Sequence, residues 1–227
     1  MSGTTRLHVT VERFPIAGGF TIARGTKTEA VVVVARVERD GRVGLGECVP
    51  YARYGETVDG VAALVHTQAR AVAAGATRAD LLQALPAGAA RNALDAALWA
   101  CEARAAGRPV WQLAGLPPPA PVTTAFTLSL GDPASMAAAA QRAAGRPLLK
   151  VKLGGDGDEE RIRAVRAAAP GATLIVDANE GWREVDLDRR LAACAQAGVA
   201  LIEQPLPADA DAVLEGFDSP VRSEEHT

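Results

Sequence analysis

Leu148-Leu-Lys-Val-Lys-Leu153 is a short apolar segment that carries two lysines one residue apart. Side chains alternate along a β-strand, so Lys150 and Lys152 project to one face and Val151 to the other. The chain has three lysines against 21 arginines, and two of the three fall here. An ammonium group can lose its proton near neutral pH when suitably placed, whereas a guanidinium cannot, so one of the pair reads as a base. A strand with two solvated lysines is the alternative, and the motif alone does not choose between them. The abundance of Ala and Arg also points to a compositional bias of the source, which weakens any argument from lysine count.

The segments on either side supply the context. Thr123–Leu130 reads as a strand, and Asp132-Pro133 caps a helix to about Ala144, with proline at the first helical position. Beyond Leu148–Leu153 come a helix over Asp158–Ala168 and a strand over Thr173–Asp177. A helix over about Asp186–Ala197, a strand over Val199–Glu203 and a short helix over Ala208–Gly216 follow. Short apolar strands alternating with helices imply parallel pairing with the helices outside, which fits both barrels and doubly wound sheets. Lys152, Asp177 and Glu203 separate the two. Each closes a strand, and they lie 25 and 26 residues apart, one strand–helix unit apiece. Charged groups at the C-terminal mouths of successive parallel strands are the layout of a (β/α)8 barrel active site. Gly154-Gly155 lacks the GxGxxG setting that a Rossmann sheet requires. The fold class is therefore α/β with a barrel.

Upstream the grammar differs. Residues 5–13 and 29–39 read as strands separated by a Gly-rich loop from Pro15 to Gly25, and Asp40-Gly41 turns the chain into a third strand, Gly44–Cys48. From Thr57 to about Leu113 the pattern is helical and Ala-rich, interrupted near Gly75 and at Pro86-Ala-Gly88. Three antiparallel strands followed by helices make an α+β unit. The proline-rich stretch Gly115–Pro121 is a stiff boundary after it.

The 227 residues are 48% hydrophobic and 22% charged, with a net charge of −3 and scattered basic residues. That composition argues against nucleic acid and anionic membrane as partners. No apolar signal core opens the chain and no run approaches membrane-spanning length, so a cytoplasmic location is expected. Cys48, Cys101 and Cys194 are few, odd in number and far apart, which suits reduced thiols.

Two carboxylates at neighbouring strand ends with no Cys or His beside them form a hard oxygen site, suited to Mg²⁺ or Mn²⁺ rather than zinc. For Asp177 the alternative is a turn or cap residue, and for Glu203 a buried carboxylate paired with an arginine. Asn179 is a candidate hydrogen-bonding partner of the site, and Glu180 reads as a loop charge. A divalent ion beside a strand-end lysine suits proton abstraction from the carbon next to a carboxylate. The cation neutralises the enediolate that forms, while the amine must be unprotonated often enough to accept the proton.

The set Lys150-Val-Lys152, Asp177-Ala-Asn179 and Glu203-Gln-Pro205 resembles the enolase superfamily, muconate-lactonizing branch. The segments Gly19–Ala30 and Gly46–Thr57 resemble more narrowly the dipeptide epimerases of the L-Ala-D/L-Glu type. The resemblance covers about Leu7–Pro220. It implies a capping domain over residues 1–116, whose Pro15–Gly25 and Cys48–Thr57 loops close over the barrel mouth, and a partial barrel of about four strands over residues 117–221. It further implies that Lys152 is a catalytic acid/base and Lys150 its electrostatic partner, also holding the substrate carboxylate. Arg24 would meet a second substrate carboxylate, Thr127 would contact the dipeptide, and Asp177 and Glu203 would bind Mg²⁺. Arg24 read alone is equally a solvated loop charge, and Thr127 a barrel-lining residue.

The family pattern continues beyond what is seen here. A third metal carboxylate, an opposing lysine and an Asp-x-Asp anchor for the dipeptide ammonium are expected on later strands. Phe217–Val221 reads as entry to a fifth strand, whereas residues 222–227 break the pattern and read as an artefactual tail, so His226 is no ligand candidate. A C-terminally truncated, inactive fragment of a full-length epimerase is the expectation, with a homo-oligomeric parent left open. A cycloisomerase or o-succinylbenzoate synthase-type lyase of the same superfamily, and a non-catalytic binding module, are the competing readings.

Overall fold

A computed structural model describes residues 5–22, 25–216 and 222–224. The chain divides into two compact units: the residues up to Ala17 with Glu29–Ala120, and Gly18–Thr28 with the residues from Pro121 onward.

The first unit is a three-stranded sheet covered by helices. Its strands β1 (Arg6–Ile22), β2 (Gly25–Arg39) and β3 (Arg42–Cys48) lie in that order. β2 and β3 pair antiparallel from Val33↔Cys48 to Arg39↔Arg42. The turn between them has Asp40 at φ 52° and Gly41 at φ 73°. Two consecutive left-handed residues match the twist of a tight hairpin, which is why Asp-Gly stands there. Val33, Ala35 and Val37 alternate inward and are fully buried.

Helices α1 (Val58–Thr67), α2 (Ala69–Ala73), α3 (Arg78–Ala84), α4 (Ala89–Ala106) and α5 (Val110–Leu113) follow. α3 opens on a reciprocal cap in which Thr77 accepts from the Asp80 amide and Asp80 from the Thr77 amide. Gly88 gives α4 no capping side chain, and the Glu56 carboxylate supplies the acceptor instead, 2.7 Å from the Ala89 amide. α4 packs on β3 with little between them. Gly44 and Gly46 face Ala93, Ala97 and Cys101, and a Cβ at Gly46 would lie 1.9 Å from the Ala93 carbonyl.

Pro15–Gly25 departs from the sequence expectation of a Gly-rich loop. β1 runs to Ile22 and β2 begins at Gly25, so most of the segment is paired ribbon. Gly18 (φ 75°) and Gly19 (φ 73°) adopt backbone that only glycine takes readily, within a strand that continues to Ile22. The tip belongs to the second unit, where the Leu130 amide donates to the Thr21 carbonyl at 3.1 Å.

The second unit alternates strand and helix: β4 (Phe126–Leu128), α6 (Pro133–Arg142), β5 (Leu148–Lys152), α7 (Asp158–Ala168), β6 (Thr173–Asp177), α8 (Leu187–Gln196), β7 (Val199–Glu203) and β8 (Arg222–Glu224). They form one parallel sheet in sequence order. α6 starts as the sequence predicts, with Asp132 accepting from the Ser135 amide at 2.9 Å and Pro133 at the first position. Leu149, Val151, Leu174, Val176 and Ile202 face the helices and make a dry core with Met136, Ile162, Val165 and Leu187. The other face of the same strands carries the polar residues.

Two corrections concern strand extent. The first barrel strand spans only Phe126–Leu128 rather than Thr123–Leu130, because its pairing to β5 runs no further than Phe126↔Leu149 to Leu128↔Val151. Arg222–Glu224, expected to break the pattern, pairs in parallel with β7. Ladder hydrogen bonds are made by backbone, so strand pairing survives a change in side-chain pattern. The residues before it, 217–221, lie outside the described residues.

Candidate active site

The strand register places the candidate side chains in two rows on the sheet face away from the helices. Thr127, Lys150, Ile175 and Leu201 are successive partners in one row. Lys152, Asp177 and Glu203 are partners in the next, and the backbone of Glu224 continues it. Two residues of rise separate the rows, so Lys150 and Lys152 stand one above the other.

The side chains converge. Lys152 Nζ donates to Asp177 Oδ2 at 2.5 Å, and Lys150 Nζ lies 3.1 Å from the same oxygen. Lys150 also donates to Glu203 Oε2. The sequence assigned Lys152, Asp177 and Glu203 to one mouth from their spacing alone, and they do meet there. Asp177 and Lys152 are buried, at 1% and 8% exposure, while Lys150 and Glu203 are half-buried.

For Lys150 and Asp177 burial disfavours charge, and the pairing opposes it. For Lys150 desolvation pulls the pKa down, but hydrogen bonds to Glu203 and Asp177 and their negative charge outweigh it and raise it above the ordinary lysine value. For Asp177 desolvation pushes up, and the hydrogen bonds and charges of Lys152 and Lys150 outweigh it, leaving the carboxyl below its ordinary value. Lys150 is thus a fixed positive charge between two carboxylates.

Backbone hydrogen bonds hold the acidic pair. The Asn179 amide donates to Asp177 Oδ1 at 2.9 Å, and the Ala178 amide donates to the Glu203 carbonyl at 3.0 Å. Asn179 partners the site as foreseen, in this contact through its backbone. It sits at φ 50° and Glu180 at φ 63°, strained positions for residues with a Cβ, at the loop directly after Asp177. The Glu180 amide, in what the sequence marked as a loop charge, donates to the Gln204 carbonyl at 2.8 Å.

Thr127 is half-buried in the row of Lys150. Arg24 lies outside the described residues. Phe20, on the ribbon tip, has its ring centroid 5.7 Å from Lys152 Nζ. The sequence reading missed Asp158 and Trp182, both buried beneath these strand ends. The signal was present in Gly154-Gly-Asp-Gly-Asp158 directly after the lysine strand, but an acidic residue at a helix start reads as ordinary dipole complementarity.

The donor set fits a hard divalent cation. Asp177 and Glu203 are adjacent strand partners, both oxygen donors, and one cation, the Lys150 ammonium, already bridges them. Among the described residues no group of three or more His, Cys, Asp and Glu side chains could hold a metal together.

Residues 4–115 match the model of the mandelate racemase/muconate lactonizing enzyme N-terminal domain, and residues 134–223 match that of the enolase C-terminal domain-like family. This chain belongs to the enolase superfamily. Within the superfamily it is 48% identical over 212 residues to the L-Ala-D/L-Glu epimerase of Escherichia coli, covering 92% of this chain and 66% of that enzyme. A solved enolase family member from Agrobacterium tumefaciens, with homology to dipeptide epimerases and bound sodium and L-Ala-L-Glu, superposes with a TM-score of 0.93 at 50% identity. It covers 96% of this chain and 67% of its own. The dipeptide epimerase of Enterococcus faecalis, complexed with Mg and L-Leu-L-Tyr, superposes with a TM-score of 0.87 at 27% identity, over 98% of this chain and 68% of its own. The chain therefore spans about two thirds of the length of these superfamily members. Among the described residues no helix is long and apolar enough to cross a membrane.

Proposed function

We propose that the whole protein is a metal-assisted dipeptide epimerase of the L-Ala-D/L-Glu type, inverting the carbon next to a carboxylate by removing and returning its proton. The observation that supports it best is the convergence of Lys152 and Lys150 on Asp177 and Glu203 at the ends of consecutive parallel strands. Likeness to the L-Ala-D/L-Glu epimerase of Escherichia coli supports a dipeptide as the substrate.

In this reading Lys152 is an acid/base, exchanging the α-proton at Nζ. Lys150, held charged by its two carboxylate partners, stays an ammonium and attracts the substrate carboxylate. Asp177 and Glu203 would hold Mg²⁺, with Mn²⁺ an alternative of the same hard-donor chemistry. A divalent ion held there would supply positive charge to offset the negative charge that develops on the substrate carboxylate. The Phe20 ring, centred 5.7 Å from the Lys152 amine, helps keep water from it. Thr127 contacts the dipeptide and Arg24 its second carboxylate. Inversion needs an acid/base on each face of the carbon, and this sheet presents its lysine pair to one face. Residues 1–116 act as the capping domain and residues from 117 onward as the barrel part. The protein works in the cytoplasm on a small-molecule substrate.

The test is an assay of the full-length protein in deuterated water with Mg²⁺, using L-Ala-D-Glu, L-Ala-L-Glu and a panel of other dipeptides. Proton NMR is expected to show loss of the glutamyl α-proton signal together with appearance of the other diastereomer. Exchange or turnover confined to cycloisomerase or o-succinylbenzoate synthase-type substrates would move the protein elsewhere in the superfamily. No exchange, and no Mg²⁺-dependent change in carboxylate binding, would leave a non-catalytic binding module.

A further inference from the structure

Beneath the rim, one carboxylate gathers the loops that follow four consecutive strands. Asp158 is 2% exposed. Its Oδ2 accepts from the Gly155 amide at 2.7 Å, the Gly154 amide at 3.0 Å and Trp182 Nε1 at 2.8 Å. Its Oδ1 accepts from Arg161 Nη1 at 2.9 Å and lies 3.2 Å from the Gly154 amide. Gly154 is two residues beyond Lys152, so the loop leaving the lysine strand is fastened directly.

The other donors extend the hold. Arg161 Nε donates to the Gly131 carbonyl at 2.8 Å, in the loop after β4. Trp182 lies in the loop after Asp177, and its amide donates to the Pro205 carbonyl at 3.0 Å, in the loop after Glu203. The loops after β5 and β6 also touch without any side chain between them. A Cβ at Gly181 would lie 3.0 Å from Gly154 Cα. Lys152, Asp177 and Glu203 thus each end in a loop tied to the Asp158–Trp182 pair.

We infer that Asp158 and Trp182 are positioning residues, a latch that sets the direction of Lys152 relative to Asp177 by fixing the loop that follows each. A buried carboxylate with four donors is far more than a helix start needs, and here the helix N-cap is Gly157, whose lack of a side chain leaves that work undone. Every donor is another rim element or the arginine that reaches one. The catalytic consequence rests on the epimerase reading, but the geometric claim does not.

The test uses the scarcity of lysine. Biosynthetic labelling of the 227-residue chain at lysine Cε and Nζ gives three signals, for Lys27, Lys150 and Lys152, the last assigned by Lys152→Arg. In Asp158→Ala the Lys152 signal is expected to move or split into several while that of Lys27 stays, and Asp158→Asn, which keeps a carbonyl acceptor, should show a smaller displacement. Trp182→Phe removes one donor and preserves the apolar body, so it serves if Asp158→Ala does not fold. Arg166→Ala is the control. It removes a guanidinium that donates to the carbonyls of Ala172, Ala197 and Gly198, at the opposite ends of the strands, lowering the melting temperature without moving Lys152.

A Lys152 signal unchanged in every Asp158 or Trp182 variant that folds, or moved equally by Arg166→Ala, overturns the inference and leaves Asp158 a structural group. The measurement needs no substrate, so it gives its answer even if the dipeptide assay is negative. Where the assay is positive, Asp158→Asn should lower kcat on the order of tenfold to a hundredfold with KM little changed.

Discussion

Replacing Gly46 by alanine puts a methyl group where the backbone of α4 already lies. The added carbon would be 1.9 Å from the Ala93 carbonyl oxygen, 2.5 Å from the Ala97 amide nitrogen and 3.0 Å from the Ala93 carbonyl carbon. No rotamer relieves a clash with main chain. Restoring ordinary contact requires the helix to recede by about 1.5 Å, and a gap of even 0.5–1 Å forfeits roughly a quarter to a half of each van der Waals contact across it. The contacts at risk are those of Ala90, Leu94, Leu98 and Cys101, all buried in the same core. Overpacking ordinarily costs about 1–3 kcal/mol. A helix backbone yields less than a side chain, so the upper part of that range applies, reduced by roughly 0.5–1 kcal/mol because alanine is the less flexible residue in the unfolded chain. The net expectation is a loss of about 2 kcal/mol, or roughly 4–8 °C in melting temperature for a cooperative chain of 227 residues. Urea unfolding followed by circular dichroism measures it. A Gly46→Ala protein within about 0.5 kcal/mol of the parent would mean that α4 does not lie against β3 as described.

Three further outcomes follow from other parts of the chain. The Arg166 guanidinium donates to the carbonyls of Ala169, Pro170, Ala172, Ala197 and Gly198, at distances from 2.6 to 3.3 Å, so Arg166→Ala should cost roughly 2–3 kcal/mol in thermal unfolding. Arg166→Lys should recover only part of it, since an ammonium lacks the planar fork. For pH, the lowered pKa of Asp177 contributes stability that is complete above the unfolded value near 3.8 and is lost as pH falls through the folded value. The raised pKa of Lys150 contributes stability that is complete below 10.5 and is lost as pH rises through its folded value. The urea midpoint of the parent should therefore fall at the acid and alkaline ends, and the acid limb should flatten in Asp177→Asn. Finally, millimolar Mg²⁺ should raise the melting temperature by preferential binding to the folded form, and Glu203→Gln should abolish that rise. A rise unaffected by Glu203→Gln would place the ion elsewhere.

What the sequence made legible was the part governed by local periodicity. The ranges Asp158–Ala168, Thr173–Asp177 and Val199–Glu203 emerge with the boundaries their patterns suggest, because apolar alternation and strand–helix spacing are properties of the chain itself. The meeting of Lys152 with Asp177 was likewise readable: equal spacing by one strand–helix unit forces neighbouring strand ends into register. The extent of pairing was not readable. The ribbon over Pro15–Ile22 and the strand at Arg222–Glu224 exist because a partner strand lies alongside, and nothing in their own residues announces it.

Asp158 shows the deeper limit. In sequence it is one acidic residue among three in the first turn of α7, where any carboxylate is favourable. What sets it apart from its neighbours is the set of donors aimed at it, from Gly154, Gly155, Arg161 and Trp182. Those donors come from segments up to 28 residues apart in the chain, brought together only once the parallel strands are paired. A side chain that touches solvent or substrate leaves a motif around itself. One that acts by holding backbone amides leaves almost none, because any sequence can supply an amide. Residues of that second kind are where a structure adds most to a family resemblance, and at this rim they lie directly behind the lysine and carboxylates that the resemblance picks out.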